Sequence, residues 1–296
     1  MKRTMKYVTA CAIAIAAAGF GFVSCSDDDD LPAIDGYNNS NEVGSANLVA
    51  HWTFDTNNNE VISNTAPAKT YGTVATTTGP LGNALQLSSG ALVFPSITKI
   101  GEASSLGNFT VSLWTNVKNN GADFTTLFGI FPTANTAPWG NLSASLETGW
   151  FPARADGDTL VIKANYLSLN SDGSENGQDN RNDPRGKPPV GVFKSSGQWF
   201  HYVIRFTAST HKLEIFANGT SIGAYNDRGA NTVALNMRTP AQAVIGSLAT
   251  KAVGFAGVTD EWPKMATASI DDIRVFNTSL ADKDVTALFN LGTAGR

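Results

Sequence analysis

Residues 199–225 read WFHYVIRFTASTHKLEIFANGTSIGAY, and this stretch restricts the fold more than any other. Phe200, Tyr202, Ile204 and Phe206 alternate with His201, Val203 and Arg205. A period of two puts each set on its own face of a strand. A polar turn follows, then KLEIFA, then Asn218-Gly219, then TSIGAY. Both central residues of a tight hairpin turn need positive φ, which Asn and Gly accept readily. The spacing predicts a three-strand antiparallel meander.

Strand signals recur through the rest of the chain. NLVAHWTF (47–54) is a β-type run, and ALQLSSGALVF (84–94) reads as two short strands across a Ser-Ser-Gly turn. In FTVSLWTNV (109–117), Phe109, Val111 and Leu113 share one face, and Thr110, Ser112 and Trp114 the other. Further strands are expected at 124–131, 142–147, 159–167, 242–248 and 268–276. Only 16% of residues are charged, while Gly, Asn, Ser and Thr are plentiful, as suits short strands joined by turns. One helix is predicted near the end, capped by Ser279 with Asp282 three residues on. Val285, Leu288 and Phe289 form its apolar stripe and Gly292 ends it. Many short strands and one terminal helix predict an all-β, two-sheet antiparallel sandwich with a short C-terminal helix.

The N-terminus has another character. Lys2, Arg3 and Lys6 precede an uncharged, mostly small or apolar run from Tyr7 to Val23, the pattern of a secretory signal. Phe22-Val23-Ser24-Cys25 resembles the lipobox of bacterial lipoproteins. That resemblance implies cleavage before Cys25, lipidation of its sulfur and acylation of its new amine. Asp27 to Asp30 resemble the acidic tether that sends some lipoproteins to the outer cell surface. The expected location is therefore the outer membrane, lipid-anchored and facing outwards. The plainer alternative is an ordinary signal followed by a solvated acidic linker. The expected divisions are a signal at 1–24, a polar tether at 25–46 and one domain at 47–296.

The two cysteines fit this reading. Cys11 leaves with the signal and Cys25 carries lipid, so no disulfide or thiolate metal site is expected in the domain. Losing residues 1–24 removes three basic residues and no acidic one, so the mature chain is more acidic than the formal −4 of the whole. No basic patch or RNA-type aromatic motif is present, which argues against nucleic acid as a partner.

Four segments in order carry a resemblance: LVAHWTFD, FTVSLWTNV, WFHYVIRFTASTHKLEIFANGTSIG and ASIDDIRVFNTSLADKDVTALFN. Together they resemble the laminin G-like branch of the concanavalin A-like lectin/glucanase superfamily, over residues 47–291. The resemblance implies a jelly roll whose concave face often takes ligands. It also implies one structural calcium, with Asp55 and either Asp271 or Asp272 as ligands. The alternative is that Asp55 forms a turn and the aspartate pair makes internal hydrogen bonds.

The Glu-x-Asp-x-x-Glu strand of the superfamily's glucanases is absent from the sequence. Asp271 and Asp272 are neighbours in a predicted strand and should face opposite ways, which does not suit a catalytic pair. His51, His201 and His211 are read as structural. In 172–183, Asp172, Ser174, Asn176, Gly177 and Asp183 fall at calcium-loop spacing. Asp stands where a bidentate Glu belongs and no helix flanks the run, so a polar insertion is preferred. Residues 169–190 are expected to be the longest irregular segment. Trp52 and Trp114 sit in strand patterns and should be buried, whereas Trp139, Trp150 and Trp262 lie among Pro and Gly as loop or rim residues. Sugars present C–H faces to indole rings and hydroxyls to polar side chains. Trp139, Trp150 and Trp262, with Arg154, Asn165 and Arg181 as polar partners, are the candidate ligand contacts.

The leading expectation is a surface-anchored lipoprotein that binds extracellular polysaccharide or host glycan without chemistry. One alternative is an adhesion or complex-forming lipoprotein with a protein partner. Another is a glycoside hydrolase or polysaccharide lyase with an atypical site.

Overall fold

A computed structural model describes residues 31–121, 124–133, 137–148, 157–179, 192–225 and 234–296. The expected meander is β10 (Trp199–Thr207), β11 (Lys212–Ala217) and β12 (Thr220–Tyr225), paired antiparallel in sequence. Asn218 and Gly219 have φ of 51° and 74°, the mirror-image turn that a two-residue hairpin needs. β4 (Phe109–Asn116) pairs with the other edge of β10, and β14 (Ala266–Phe276) with β4. β1 (Leu48–Trp52) joins β14 and completes the first layer.

The second layer holds β13 (Pro240–Ile245), β5 (Phe124–Pro132), β6 (Leu142–Glu147) and β7 (Thr159–Leu169), all antiparallel. β8 (Glu175–Asp179) and the short β9 (Val192–Lys194) both pair with β7. A long hairpin, β2 (Lys69–Gly79) and β3 (Gly82–Phe94), joins the layers. Leu85–Gly90 of β3 pairs with β14, and Leu92–Phe94 with β13, so one strand serves both sheets.

Between the layers lies one apolar core. Phe109, Val111 and Leu113 face Leu146, Ile162 and their neighbours, while Tyr166 meets Phe206 with ring centroids 4.9 Å apart. Trp52 of the first layer contacts Phe128 of the second at 5.4 Å. Each such ring contributes on the order of 1.5–3 kcal/mol by leaving water. The predicted alternation in 109–114 and 200–206 therefore holds, and Trp52 and Trp114 are buried as expected.

A second cluster covers the outer face of the first layer. α1 (Asp282–Thr293) lays Val285, Leu288 and Leu291 over Val203, Phe216 and Phe276. Its start differs from expectation. Ala281 is the N-cap, without a side-chain bond, and Ser279 instead meets Thr207 Oγ1 at 2.5 Å. Arg205 does not cap the helix, but it ties its start to the sheet by donating to Leu280 O and to Asp282, each at 2.7 Å. Gly292 lies inside the last turn rather than beyond it, and a Cβ there would meet the Trp114 indole at 2.6 Å. The helix can lie close to the sheet because that position carries no side chain.

Three further expectations are corrected. Residues 34–46 are no free spacer: Val43 is fully buried, Tyr37 donates to Asp284, and Ser40 N–H donates to Arg296 O. The segment closes the outer cluster beside α1. Residues 84–94 belong to one continuous strand, in which Ser89, at φ 46°, makes a bulge rather than a turn. The supposedly irregular 169–190 contains β8.

Candidate functional site

The outer face of the second layer carries the candidate site. Phe131 and Val244 point away from the core there and pack with Leu248, Val253, Phe255 and Val258, from the segment between β13 and β14. Phe131 and Phe255 lie 5.4 Å apart. Phe124 rests on the edge of this cluster. Above it stand Trp139, 40% exposed, and Trp262, 45% exposed. Their ring centroids are 5.5 Å apart at 47°, and each is edge-on to Phe124 at 5.8 Å. Two indoles remote in sequence thus form one aromatic platform open to solvent.

Local sequence explains how Trp139 is held. Gly140, at φ 70°, passes over Phe131, where a Cβ would come within 2.3 Å of the ring. Pro138 O accepts from Ala249 N at 3.1 Å, joining the two loops that bear the tryptophans. Asn165 Nδ2 donates to Trp139 O at 3.3 Å, and Asn165 Oδ1 accepts from Ser143 Oγ. Asn165, expected to touch ligand, is buried and positions Trp139 instead. Trp150, Arg154 and Arg181 lie outside the described residues.

Beside the platform opens a cleft of about 200 Å³, lined by Trp139, Gly140, Asn141, Leu167, Glu175 and Arg238, among others. Arg238 and Glu175 form an ion pair at its rim. Asn141 is fully buried behind the cleft wall, with Nδ2 donating to Arg238 O at 2.7 Å. Asn141, Glu175 and Arg238 were not candidates from sequence. GN between a tryptophan and a strand was the visible signal for Asn141, but its environment is tertiary.

The three candidate metal ligands part company. A bulge at Asp272, at φ 49°, breaks the expected alternation, and Ile270 and Ile273 both face the core. Asp272 Oδ1 meets His51 Nε2 at 2.7 Å, and Oδ2 accepts from Arg274 Nε at 2.8 Å. Burial opposes its ionisation, but Arg274 and His51 overcome that and hold the carboxyl well below the usual range. Both its oxygens are committed. Asp271 instead faces the 79–82 turn. Its Oδ2 accepts from Leu81 N at 3.0 Å, and its Oδ1 is buried without a partner among the described residues. Asp55 approaches the same turn, accepting from Asn83 N at 3.0 Å. Burial pushes the Asp271 carboxyl up to about 7; the Leu81 N–H opposes this, and the charges of Asp272 and Asp55 add to it.

An orphaned carboxylate oxygen with a second carboxylate nearby fits calcium, so Asp55 and Asp271 are the residues that would hold it. No group of three or more His, Cys, Asp or Glu side chains converges among the described residues, so backbone oxygens and water would complete the shell.

The histidines are structural in their surroundings. His201 is buried against Trp114 at 5.2 Å and bonded to Ser112 Oγ at 2.7 Å; burial pushes its pKa down to about 3. In the 172–183 run, Asp172 Oδ1 accepts from Ser174 N and Oγ, a closed local turn.

No protein-family model and no curated protein matches the chain. Solved structures do resemble it. The binding domain of botulinum neurotoxin DC, in complex with SialylT, has a TM-score of 0.53 and 14% identity over 84% of this chain and 52% of that one. Domain 4 of the extracellular GH43 arabinanase AbnA from Geobacillus stearothermophilus, in complex with arabinotriose, has a TM-score of 0.50 and 22% identity over 82% of this chain and 98% of that one. The binding domain of Paraclostridial Mosquitocidal Protein 1 has a TM-score of 0.50 and 14% identity, over 83% and 52%. The chain spans about half the length of both toxin domains. At these identities the likeness is one of fold: an antiparallel β-sandwich jelly roll.

Proposed function

We propose that this protein binds a glycan, without chemistry, on the Trp139–Trp262 platform and the adjoining cleft. The carrying observation is the pair of exposed indoles in contact, held by loops bonded to each other. Large aromatic faces left in water seldom occur together on a monomer without a partner to cover them. Sugar rings cover them with C–H groups, and Glu175 and Arg238 at the adjoining cleft offer hydrogen-bond partners to hydroxyls. The complexes of two similar folds, with SialylT and with arabinotriose, support the class of ligand. Hydrolysis of a glycosidic bond ordinarily needs two carboxyl groups. Among the described residues Glu175 is the one carboxylate lining the cleft, and it is paired with Arg238. That favours binding over cleavage. The test is a glycan array followed by calorimetry on the purified domain; protein-only partners would support the adhesion alternative, and new reducing ends or unsaturated products the enzymatic one.

The anchor is part of the same proposal. Cys25 would carry lipid at the outer membrane, two or more acyl chains being needed for lasting attachment. Residues 34–43 dock on the outer face of the first layer, and the platform lies on the outer face of the second. A tether entering at residue 31 would therefore hold the aromatic face away from the membrane. Labelled palmitate should appear on the wild-type chain in cells and vanish with Cys25→Ala; its absence from wild type removes the anchor.

Calcium is proposed as a structural ion on Asp55 and Asp271. Without it the folded chain keeps a proton on Asp271 that the unfolded chain releases. The contribution of Asp271 to stability is therefore greatest below about pH 4, declines as pH rises, and carries its full penalty above about pH 7. A cation relieves that penalty. Calcium at about a hundred times its Kd contributes ~2.7 kcal/mol, roughly 5–10 °C in Tm for a domain this size. We expect that rise in scanning calorimetry at pH 8, a smaller one at pH 5, and none in Asp271→Asn. A Tm indifferent to calcium at both pH values rejects the site.

A further inference from the structure

A sheet edge left open invites another strand, and proteins guard such edges with charge, short length, bulges or a cover. Four edge strands here are guarded in these ways. Val61 N–H closes β1 by donating to His51 O at 2.8 Å. β8 carries Glu175 and Asp179, and β9 is three residues long and ends in Lys194. β12 is six residues long, with a register shift in its pairing to β11. β2 is different. It is eleven residues long, and from Thr70 to Gly79 it has no charge and no proline. It pairs with β3 alone, so its second edge has no strand partner among the described residues. An antiparallel ladder turns alternate N–H and C=O groups toward that open side. A bulge at Gly72, with φ 62°, interrupts the strand near its start. Beyond it, residues 73–79 pair with β3 in unbroken register, and Thr73, Ala75, Thr76 and Thr78 are exposed.

We infer that the 73–79 edge docks a second copy of this chain, the two β2 strands pairing antiparallel about a two-fold axis at Thr76. That register uses the whole unbroken stretch. It sets Thr76 against the partner's Thr76, Ala75 against the partner's Thr77, and Val74 against the partner's Thr78. No like charges meet, because Lys69 lies beyond the paired stretch. Threonine and other β-branched side chains are favoured neighbours across strands. The stretch is thus complementary to itself, which points to a copy rather than a foreign strand. Each chain has one β2, so pairing uses up both open edges and stops at two. The inference does not depend on the glycan reading; under that reading a dimer carries two Trp139–Trp262 platforms.

The experiment is sedimentation velocity on residues 26–296, which keep every described residue and omit the proposed lipid site, from micromolar to millimolar concentration. The expected result is a reversible passage from monomer to dimer as concentration rises. One strand pair is a small interface, so the dimer should be a weak one. Thr76→Lys and Thr76→Glu each bring like charges face to face, and each should weaken dimerisation about tenfold or more. Mixed one to one they should restore it, because Lys then faces Glu. Thr76 is exposed, so both variants should melt close to wild type. Recovery in the mixture is a readout that a folding defect cannot produce. A wild type that stays monomeric throughout overturns the inference and leaves the edge to a strand of another protein. A dimer that neither single variant weakens lies on another surface, which also overturns it. Loss in both variants without recovery in the mixture overturns self-pairing about Thr76.

Discussion

Replacing Trp139 and Trp262 together with alanine should remove glycan binding almost entirely while leaving a folded protein. A buried aromatic anchor at a binding surface typically contributes about 2 kcal/mol or more, which is roughly thirtyfold in affinity. Either single variant should lose about that much. The two losses should not simply add, because the rings touch and each supports the other's position. Both side chains are substantially exposed and rest on Phe124 rather than inside the main core, so the fold should survive. Calorimetry on the bound oligosaccharide gives the affinity, and far-UV circular dichroism with a thermal melt gives the fold. A double variant that binds within threefold of wild type would mean that the platform is not the contact surface.

Arg274→Ala should bring the largest loss of stability. The Arg274 guanidinium is buried and donates to Asp272, to Ser40 O and Oγ at 2.9 Å, and to Asn41 Oδ1 at 3.1 Å. Removing one partner of a buried ion pair leaves the other charge stranded and costs about 3–5 kcal/mol. Here Asp272 would be left with His51 as its remaining side-chain partner. Stability should fall by about that amount in urea, with Tm lower by roughly 10 °C or more. The same change releases the 34–46 segment, so limited proteolysis should cut there before the sandwich unfolds. Met at this position fills the volume but restores no bond, and should recover little. Unaltered stability in Arg274→Ala would show that this network carries no load.

What the sequence reveals depends on where each residue's partners lie. Strands buried on one or both faces were legible, because Phe200, Tyr202, Ile204 and Phe206 must alternate for the core to form. β2 was not. Its side chains are all exposed or half-buried, and the half-buried Tyr71, Val74 and Thr77 recur every third residue, so no period of two is written into KTYGTVATTTG. The docking of 34–46 was equally hidden, since its anchors are Arg274, Asp284 and Arg296 at the far end of the chain. Trp139 and Trp262 were each recognisable as rim residues from the Pro and Gly around them, but their contact is set by the Ala249–Pro138 bond between loops. Asn165 has a side chain suited to sugar hydroxyls, yet the fold spends it on the Trp139 carbonyl.

The most direct measurement is a nitrogen-edited NMR titration that follows the tryptophan indole N–H signals as the oligosaccharide found on the array is added. Binding on the platform should shift the Trp139 and Trp262 signals together along one saturation curve, while those of buried Trp52 and Trp114 stay in place. Saturable binding that leaves the Trp139 and Trp262 signals unmoved would contradict it.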